Sequence, residues 1–154
     1  MPGYKTHLVG GLAVYGVTLY LLRSYCGSAL VAAEWLLFCL AGSLFPDVDT
    51  KSKGRTFFYH ILLGILIVFA VQRKFLAMGA VAIFALVPLI TRHRGLFHQI
   101  WFVIGLPVIV AFIIGFYATG HTRIIMFNTL FFIVGAISHL FLDFGIIRSF
   151  KFRR

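Results

Sequence analysis

Six apolar stretches follow one another through this chain, at about residues 6 to 22, 28 to 45, 57 to 72, 75 to 91, 96 to 118 and 124 to 147. Only short basic or Gly/Pro breaks separate them. Each is close to the roughly 17–25 residues that an α-helix needs to cross a bilayer. Lipid offers backbone groups no hydrogen-bond partner, so stretches of this kind are expected to be helices rather than strands. Composition agrees: 61% of residues are hydrophobic and 12% charged, against about 45–50% and about 25% in soluble domains, and the mean hydropathy is +1.01. The expectation is an all-α, polytopic membrane bundle of about six helices, forming one domain over 1–154 in the cell (inner or plasma) membrane. The third and fourth stretches are short and joined only by Arg73-Lys74, so they read either as a tight spanning hairpin or as a tilted, partly re-entrant pair.

Other readings of the ends and breaks carry less. The run from Leu8 to Leu22 is taken as the first membrane helix, because Arg23-Ser24-Tyr25-Cys26 is no small-residue cleavage site. Cys26 and Cys39 have neither metal-ligand spacing nor a disulfide pattern, and read as small apolar fillers. The glycines at 10, 11, 42, 64, 79, 105, 115 and 135 are assigned to close helix packing.

A formal charge of +10 raises the question of nucleic acid, but the basic residues sit in the breaks and form no face interleaved with aromatics. Contact with anionic lipid head groups is the expectation, and no nucleic-acid partner is expected. Threading six spans places Lys5, Lys51, Lys53, Arg55, Arg92, Arg94, Arg148, Lys151, Arg153 and Arg154 on one side, leaving Arg23, Arg73, Lys74 and Arg123 on the other. The positive-inside rule then puts both termini in the cytoplasm.

Three of the four acidic residues fall in or beside short His/Asp motifs: Pro46-Asp47-Val48-Asp49, His93 to His98, and His139 to Asp143. Ionisable groups near lipid are costly, so those that persist are functional candidates. The threading brings His7, Asp47, Asp49, His93, His98, His139 and Asp143 to the cytoplasmic side. His139 and Asp143, four apart on a helix, share one face and suit a single metal ion. Pro46 disfavours helical geometry at Phe45, so Asp47-Val48-Asp49 is expected to be extended, with both carboxylates pointing one way. Gly95 allows a turn that supplies His93 from a loop and His98 from the first turn of the fifth helix. Mixed His and carboxylate donors suit zinc or a similar divalent ion, one or two of them.

Each motif also has a plainer reading. His139 and Asp143 alone serve equally as a buried hydrogen-bonded pair between helices. Asp47 and Asp49 alone cap a loop or pair with Lys51, Lys53 or Arg55, and His7 is then an interfacial histidine beside Lys5. Convergence on one side favours the metal site, since unrelated accidents scatter over both. His121 falls on the opposite side, His60 reads as a packing or interfacial residue, and Glu34 is expected to snorkel or to pair with Arg23 or Arg73.

In order along the chain, Thr6-His7, Gly42-Ser43-Leu44-Phe45-Pro46-Asp47-Val48-Asp49, His93-Arg94-Gly95 to His98 and Ser138-His139 to Asp143 resemble the membrane-bound metal-dependent hydrolases. Bacterial members of that family are described as LexA-regulated inner-membrane proteins, and it is grouped with the zinc-dependent phospholipase C and P1 nuclease superfamily. The resemblance implies a hydrolase of phosphate esters with its metal held by His7, Asp47, Asp49, His93, His98, His139 and Asp143. The chain departs from the family at Phe97 and Gln99, where a Thr and a Ser are common, and in Phe144 to Ile147, where a small hydroxyl residue is missing.

The reaction expected is cleavage of a phosphate ester in a lipid or lipid-linked substrate, with Asp47, Asp49 or His98 as the reacting group and Arg92, Arg94 and Lys53 neutralising phosphate. With an upright sixth helix, Asp143 lies about 7–8 Å and His139 about 13–14 Å inside Arg148, which is a depth between head groups and upper acyl chains. The alternative is a non-catalytic metal-binding or metal-transporting membrane protein. Transporters, however, tend to use midplane sites and internal repeats, and no repeat is evident here. Reporter fusions at both termini should report cytoplasm and a tag beside His121 should be labelled from outside; termini on opposite sides would mean an odd number of spans.

Overall fold

The computed structural model describes residues 3–48, 53–90, 96–117 and 119–148, and all six expected helices are present. They are α1 (Tyr4–Leu22), α2 (Ala29–Leu44), α3 (Lys53–Val71), α4 (Phe75–Ile90), α5 (Ile100–Tyr117) and α6 (Thr122–Arg148), and the described residues contain no strand. Five helices are long and apolar enough to cross a membrane, while the apolar part of α4 is shorter, at Phe75–Leu86. The outward faces are apolar: Val9, Ile83, Phe112, Phe116 and Met126 are all exposed. A soluble domain would not show water so much hydrocarbon. In lipid the same faces are solvated, and the chain is a multi-pass membrane protein.

The connection between α3 and α4 resolves into a tight hairpin turn. Lys74 N–H donates to the Phe69 carbonyl and Arg73 N–H to that of Ala70, which closes the end of α3. Arg73 adopts the left-handed conformation, with φ of 56°. A glycine is the usual occupant of that position, and a side chain there costs about 1–2 kcal/mol.

The tightest seam is the crossing of α2 over α6. A Cβ on Gly42 would overlap the Phe132 carbonyl, and one on Gly135 would overlap that of Cys39, so each helix presses its backbone onto the other's glycine. α1 lies over this pair through Gly11 against Ser43 and Gly10 against Leu142. Cys39, the buried filler, donates from Sγ to the Gly11 carbonyl at 3.4 Å. The packing expectation fails for Gly79, Gly105 and Gly115, which have no described heavy atom within 4 Å of where a Cβ would stand. Gly79 is exposed, and Gly105 and Gly115 are half-buried.

Ring contacts define the two ends of the bundle. At one end Tyr4 of α1 meets Phe57 of α3 at 5.2 Å, and Phe45 is a hub touching Phe58, Phe84, Phe97 and Phe132. At the other, Trp35 stacks on Phe131 at 4.8 Å, and Tyr25 meets Phe127 with Arg123 over its ring.

Two local expectations are corrected. Phe45–Asp47 is a 3₁₀ turn, and Val48 remains in the right-handed helical region, so Asp47-Val48 is not extended. Pro46 stands at the start of that turn, where its missing N–H costs nothing. Glu34 neither snorkels nor pairs with Arg23 or Arg73. It is buried, Asn128 Nδ2 donates to its Oε1, and Gln72 Nε2 (2.7 Å) and Lys74 Nζ (3.4 Å) share its Oε2. The hairpin turn explains the exchange, because it brings Lys74 rather than Arg73 over the start of α2.

Replacing Gly135 by Ala should destabilise the purified protein by about 1–3 kcal/mol through overpacking, whereas Gly105→Ala should be neutral or stabilising by up to about 1 kcal/mol. Thermal unfolding in detergent reads both, and equal effects would mean the seam is not tight.

Candidate metal centre

The α2–α6 seam sets the register of the site. Three residues after Gly42 the 3₁₀ turn begins and carries Asp47 out over the end of α6, while four residues after Gly135 comes His139. The Ser43 carbonyl, in the last turn of α2, accepts a hydrogen bond from His139 Nδ1 at 2.7 Å. A carbonyl only accepts, so the proton sits on Nδ1 and the Nε2 lone pair points into the site. Metal-binding histidines are oriented in this way by the partner of their second nitrogen.

Asp47, His98, His139 and Asp143 form one group, with a ligand atom from each lying within 4.8 Å of the others. His139 Nε2 is 3.4 Å from Asp143 Oδ2 and 3.7 Å from Asp47 Oδ1. His98 Nε2 is 3.5 Å from Asp143 Oδ2 and 3.8 Å from Asp47 Oδ1. Four donors about 2.0–2.2 Å from a tetrahedral ion stand about 3.4 Å apart along each edge. The observed separations are at or slightly above that value. Moreover, His98 Nε2, His139 Nε2 and Asp143 Oδ1 are buried and make no hydrogen bond among the described residues. Buried polar atoms are ordinarily satisfied. Donors of the type that divalent ions take, converging at these distances, with three of their atoms making no hydrogen bond among the described residues, fit a metal.

His7 sits behind this group. Its ring stacks on that of His139 at 3.7 Å, and its Nε2 is 3.4 Å from Asp143 Oδ1. It is one of two buried residues on α1, the other being Gly11. The site is closed on the side of His139 and Asp143, whose side chains are 0% and 6% exposed, and open on the side of His98 and Asp47, at 23% and 24%.

His98 reaches the site from a 3₁₀ turn, Leu96–His98, ahead of α5 rather than from that helix's first turn. Asp49, His93, Arg92 and Arg94 lie outside the described residues, and Lys53 is exposed at the start of α3. His121 stands at the opposite end, in an exposed turn, and His60 is exposed with Nδ1 on the Thr56 carbonyl at 2.8 Å. At the family departures, Phe97 is fully buried in the Phe45 hub, and Gln99 is exposed and accepts from Trp101 Nε1. Sequence reasoning passed over Ser43, whose contribution is a backbone carbonyl and leaves no trace in residue type. It also passed over Asn128 and Gln72, whose signal was present: both are amides inside or at the end of apolar helices, level with Glu34.

Fold and site together define a multi-pass helical membrane protein with a His/Asp centre of metal-binding type at one end of the bundle. Residues 1–146 match the family described as YdjM inner membrane protein. The chain belongs to that family and is an inner-membrane protein. Comparison with curated proteins and with solved structures gives no match.

Purified protein dialysed against divalent ions should retain about one ion per chain or more at the described ligands. His139→Ala and Asp143→Ala should bring this to background, and His121→Ala and His60→Ala should leave it unchanged. Equal retention by all four variants, measured by elemental analysis, would mean the group is not a metal site.

Proposed function

We infer that the chain is a metal-dependent hydrolase acting on a phosphate ester of a lipid or lipid-linked substrate at the cytoplasmic face. The observation that carries this reading is the half-open ligand group: Asp47, His98, His139 and Asp143 converge at metal-binding distances, and two of the four remain accessible. A purely structural ion is usually enclosed by its ligands, whereas catalytic sites keep an approach open. The resemblance of the ordered motifs to metal-dependent hydrolases supports the same reading, and zinc is the ion that the mixed donors suit best.

In this scheme Asp47, His98, His139 and Asp143 hold the ion, and Asp49 and His93, by their motifs, are candidates to complete its shell or hold a second. A divalent ion there supplies Lewis acidity toward a phosphoryl oxygen and lowers the pKa of a water nucleophile. The chain does the rest. Ser43 fixes the tautomer of His139, and His7 braces the Asp143 carboxylate and seals the inner wall by stacking on His139. At the open edge, the Asp47 carboxylate oxygen not bound to the ion, or whichever of Asp49 and His98 is left off the ion, would take or return a proton as the ester bond breaks. Arg92, Arg94 and Lys53 are, by their place in the sequence, the candidates to neutralise phosphate charge. The depth of the site, about one and a half to two and a half turns inside the end of α6, suits an ester linkage at the level of lipid head groups.

Zinc-loaded protein should release product from vesicles of phosphatidylglycerol or phosphatidic acid, or from a soluble aryl phosphate diester, and metal-free protein should not. Asp47→Ala should abolish turnover together with metal binding, while His7→Ala, which removes a brace and not a described ligand, should lower metal affinity or turnover by about 10–100-fold. Stoichiometric metal binding with no hydrolysis of any of the three substrates would favour the non-catalytic metal-binding alternative.

A further inference from the structure

On the outer side of α3, Arg55, Thr56, Tyr59, His60 and Leu63 line an open recess of about 410 Å³, and none of the described metal ligands borders it. That volume falls within the roughly 300–1,000 Å³ usual for ligand sites. At the helical rise His60 lies about 10 Å, and Leu63 about 15 Å, along α3 from Lys53, where the helix begins. The recess thus runs from the level of lipid head groups into the upper acyl region.

Arg55 and His60 are five residues apart, which puts them on opposite flanks of the recess with Thr56, Tyr59 and Leu63 between them. Arg55 reaches forward along the helix, lies over the Tyr59 ring at 5.9 Å and hydrogen-bonds that residue. Tyr59 O–H in turn donates to the Ala85 carbonyl of α4 at 3.4 Å. A guanidinium has five N–H donors, more than one phenol can take up, and their fork suits the oxygens of a phosphate. The opposite flank has the opposite character. His60 is exposed and bends back so that Nδ1 donates to the Thr56 carbonyl at 2.8 Å; a carbonyl only accepts, so this nitrogen carries the proton. In the neutral ring Nε2, the nitrogen farther from the backbone, is then an acceptor. A phosphodiester has no proton to give it, whereas an ammonium has. The Phe57 ring, 6.4 Å from the imidazole, adds an aromatic face of the kind that attracts cations. Deeper in the membrane Leu63, Ile67 and Val71 are exposed at a spacing of four residues, which makes one apolar stripe leading away from the recess.

We propose that this recess binds a glycerophospholipid whose head group ends in a primary ammonium, that is, a phosphatidylethanolamine. The phosphate takes the Arg55 guanidinium, the ammonium donates to His60 Nε2, and an acyl chain follows Leu63 toward Val71. Tyr59 is a positioning residue that steadies Arg55 against α4. A choline head group has the same charges but no N–H. Glycerol hydroxyls can donate, but without the charge that strengthens an ammonium's hydrogen bond and draws it to an aromatic face. The site is separate from the proposed hydrolysis and does not depend on it.

Delipidated full-length protein in detergent, titrated with phosphatidylethanolamine, phosphatidylcholine or phosphatidylglycerol of matched acyl chains and read by native mass spectrometry, tests the proposal. Phosphatidylethanolamine should bind several-fold more tightly than either of the others, and glycerophosphoethanolamine, which has the head group without chains, should not displace it. His60→Ala should bring phosphatidylethanolamine to the level of phosphatidylcholine, Arg55→Gln should weaken both, and His121→Ala should change neither. Should His60→Ala fail to fold, His60→Phe, which keeps a ring and has no acceptor, takes its place. Equal binding of the ethanolamine and choline lipids, tighter binding of phosphatidylglycerol, displacement by the chainless head group, or a preference that survives the loss of His60 would overturn the proposal.

Discussion

The close approach of α2 and α6 is the constraint on which the rest of the structure depends. Without water, helices in lipid gain nothing from hiding apolar surface from one another, so packing and hydrogen bonds must hold them. Gly42 and Gly135 let the two backbones touch, and that contact does three things at once. It brings the Ser43 carbonyl within reach of His139. It sets Asp47, on the turn that follows α2, opposite His139 and Asp143 of α6. Further along the same two helices it joins Glu34 to Asn128. A shift of one helical turn at this seam would separate every one of these partners.

Two buried polar clusters along that seam, around Glu34 and around Asp143, are finished differently. Around Glu34 each carboxylate oxygen has at least one donor, and Lys74 balances the charge. Such a group joins helices. Around Asp143, its own Oδ1 and the Nε2 atoms of His98 and His139 are buried without hydrogen bonds among the described residues. Left like that, the group would be a cost to folding, because unpaired buried polar atoms lose hydration and regain nothing. A bound cation reverses the sign of that balance, and its ligands then contribute to stability as well as to chemistry. The difference between glue and site is thus one of satisfaction, not of residue type.

Much of this was legible in the chain. The six apolar stretches matched six helices closely, because backbone in lipid has almost no alternative to a helix and side-chain hydropathy marks its length. His139 and Asp143 met because a spacing of four residues is a local property of any helix. Where an inference relied on local geometry with a competing solution, it failed. Pro46 does disfavour a continued α-helix, but a new 3₁₀ turn accommodates it as well as an extended strand does, and the packing of Phe45 among four rings favours the turn. Glycines at 79, 105 and 115 looked like packing positions because residue type does not say which face of a helix meets a neighbour.

What the sequence determined by itself is the class of the molecule: a helical, multi-pass membrane protein whose His/Asp motifs gather at one end, since hydropathy and helical periodicity are written residue by residue. The tertiary structure decided which of those groups touch. That Asp47, His98, His139 and Asp143 share one point, that His7 stands behind them, and that Glu34 takes Lys74 and Asn128 as partners all depend on where α2 crosses α6 and how α3 turns into α4. Those distances arise between residues as many as 136 positions apart, as for His7 and Asp143, and only backbone contact in the folded bundle fixes them.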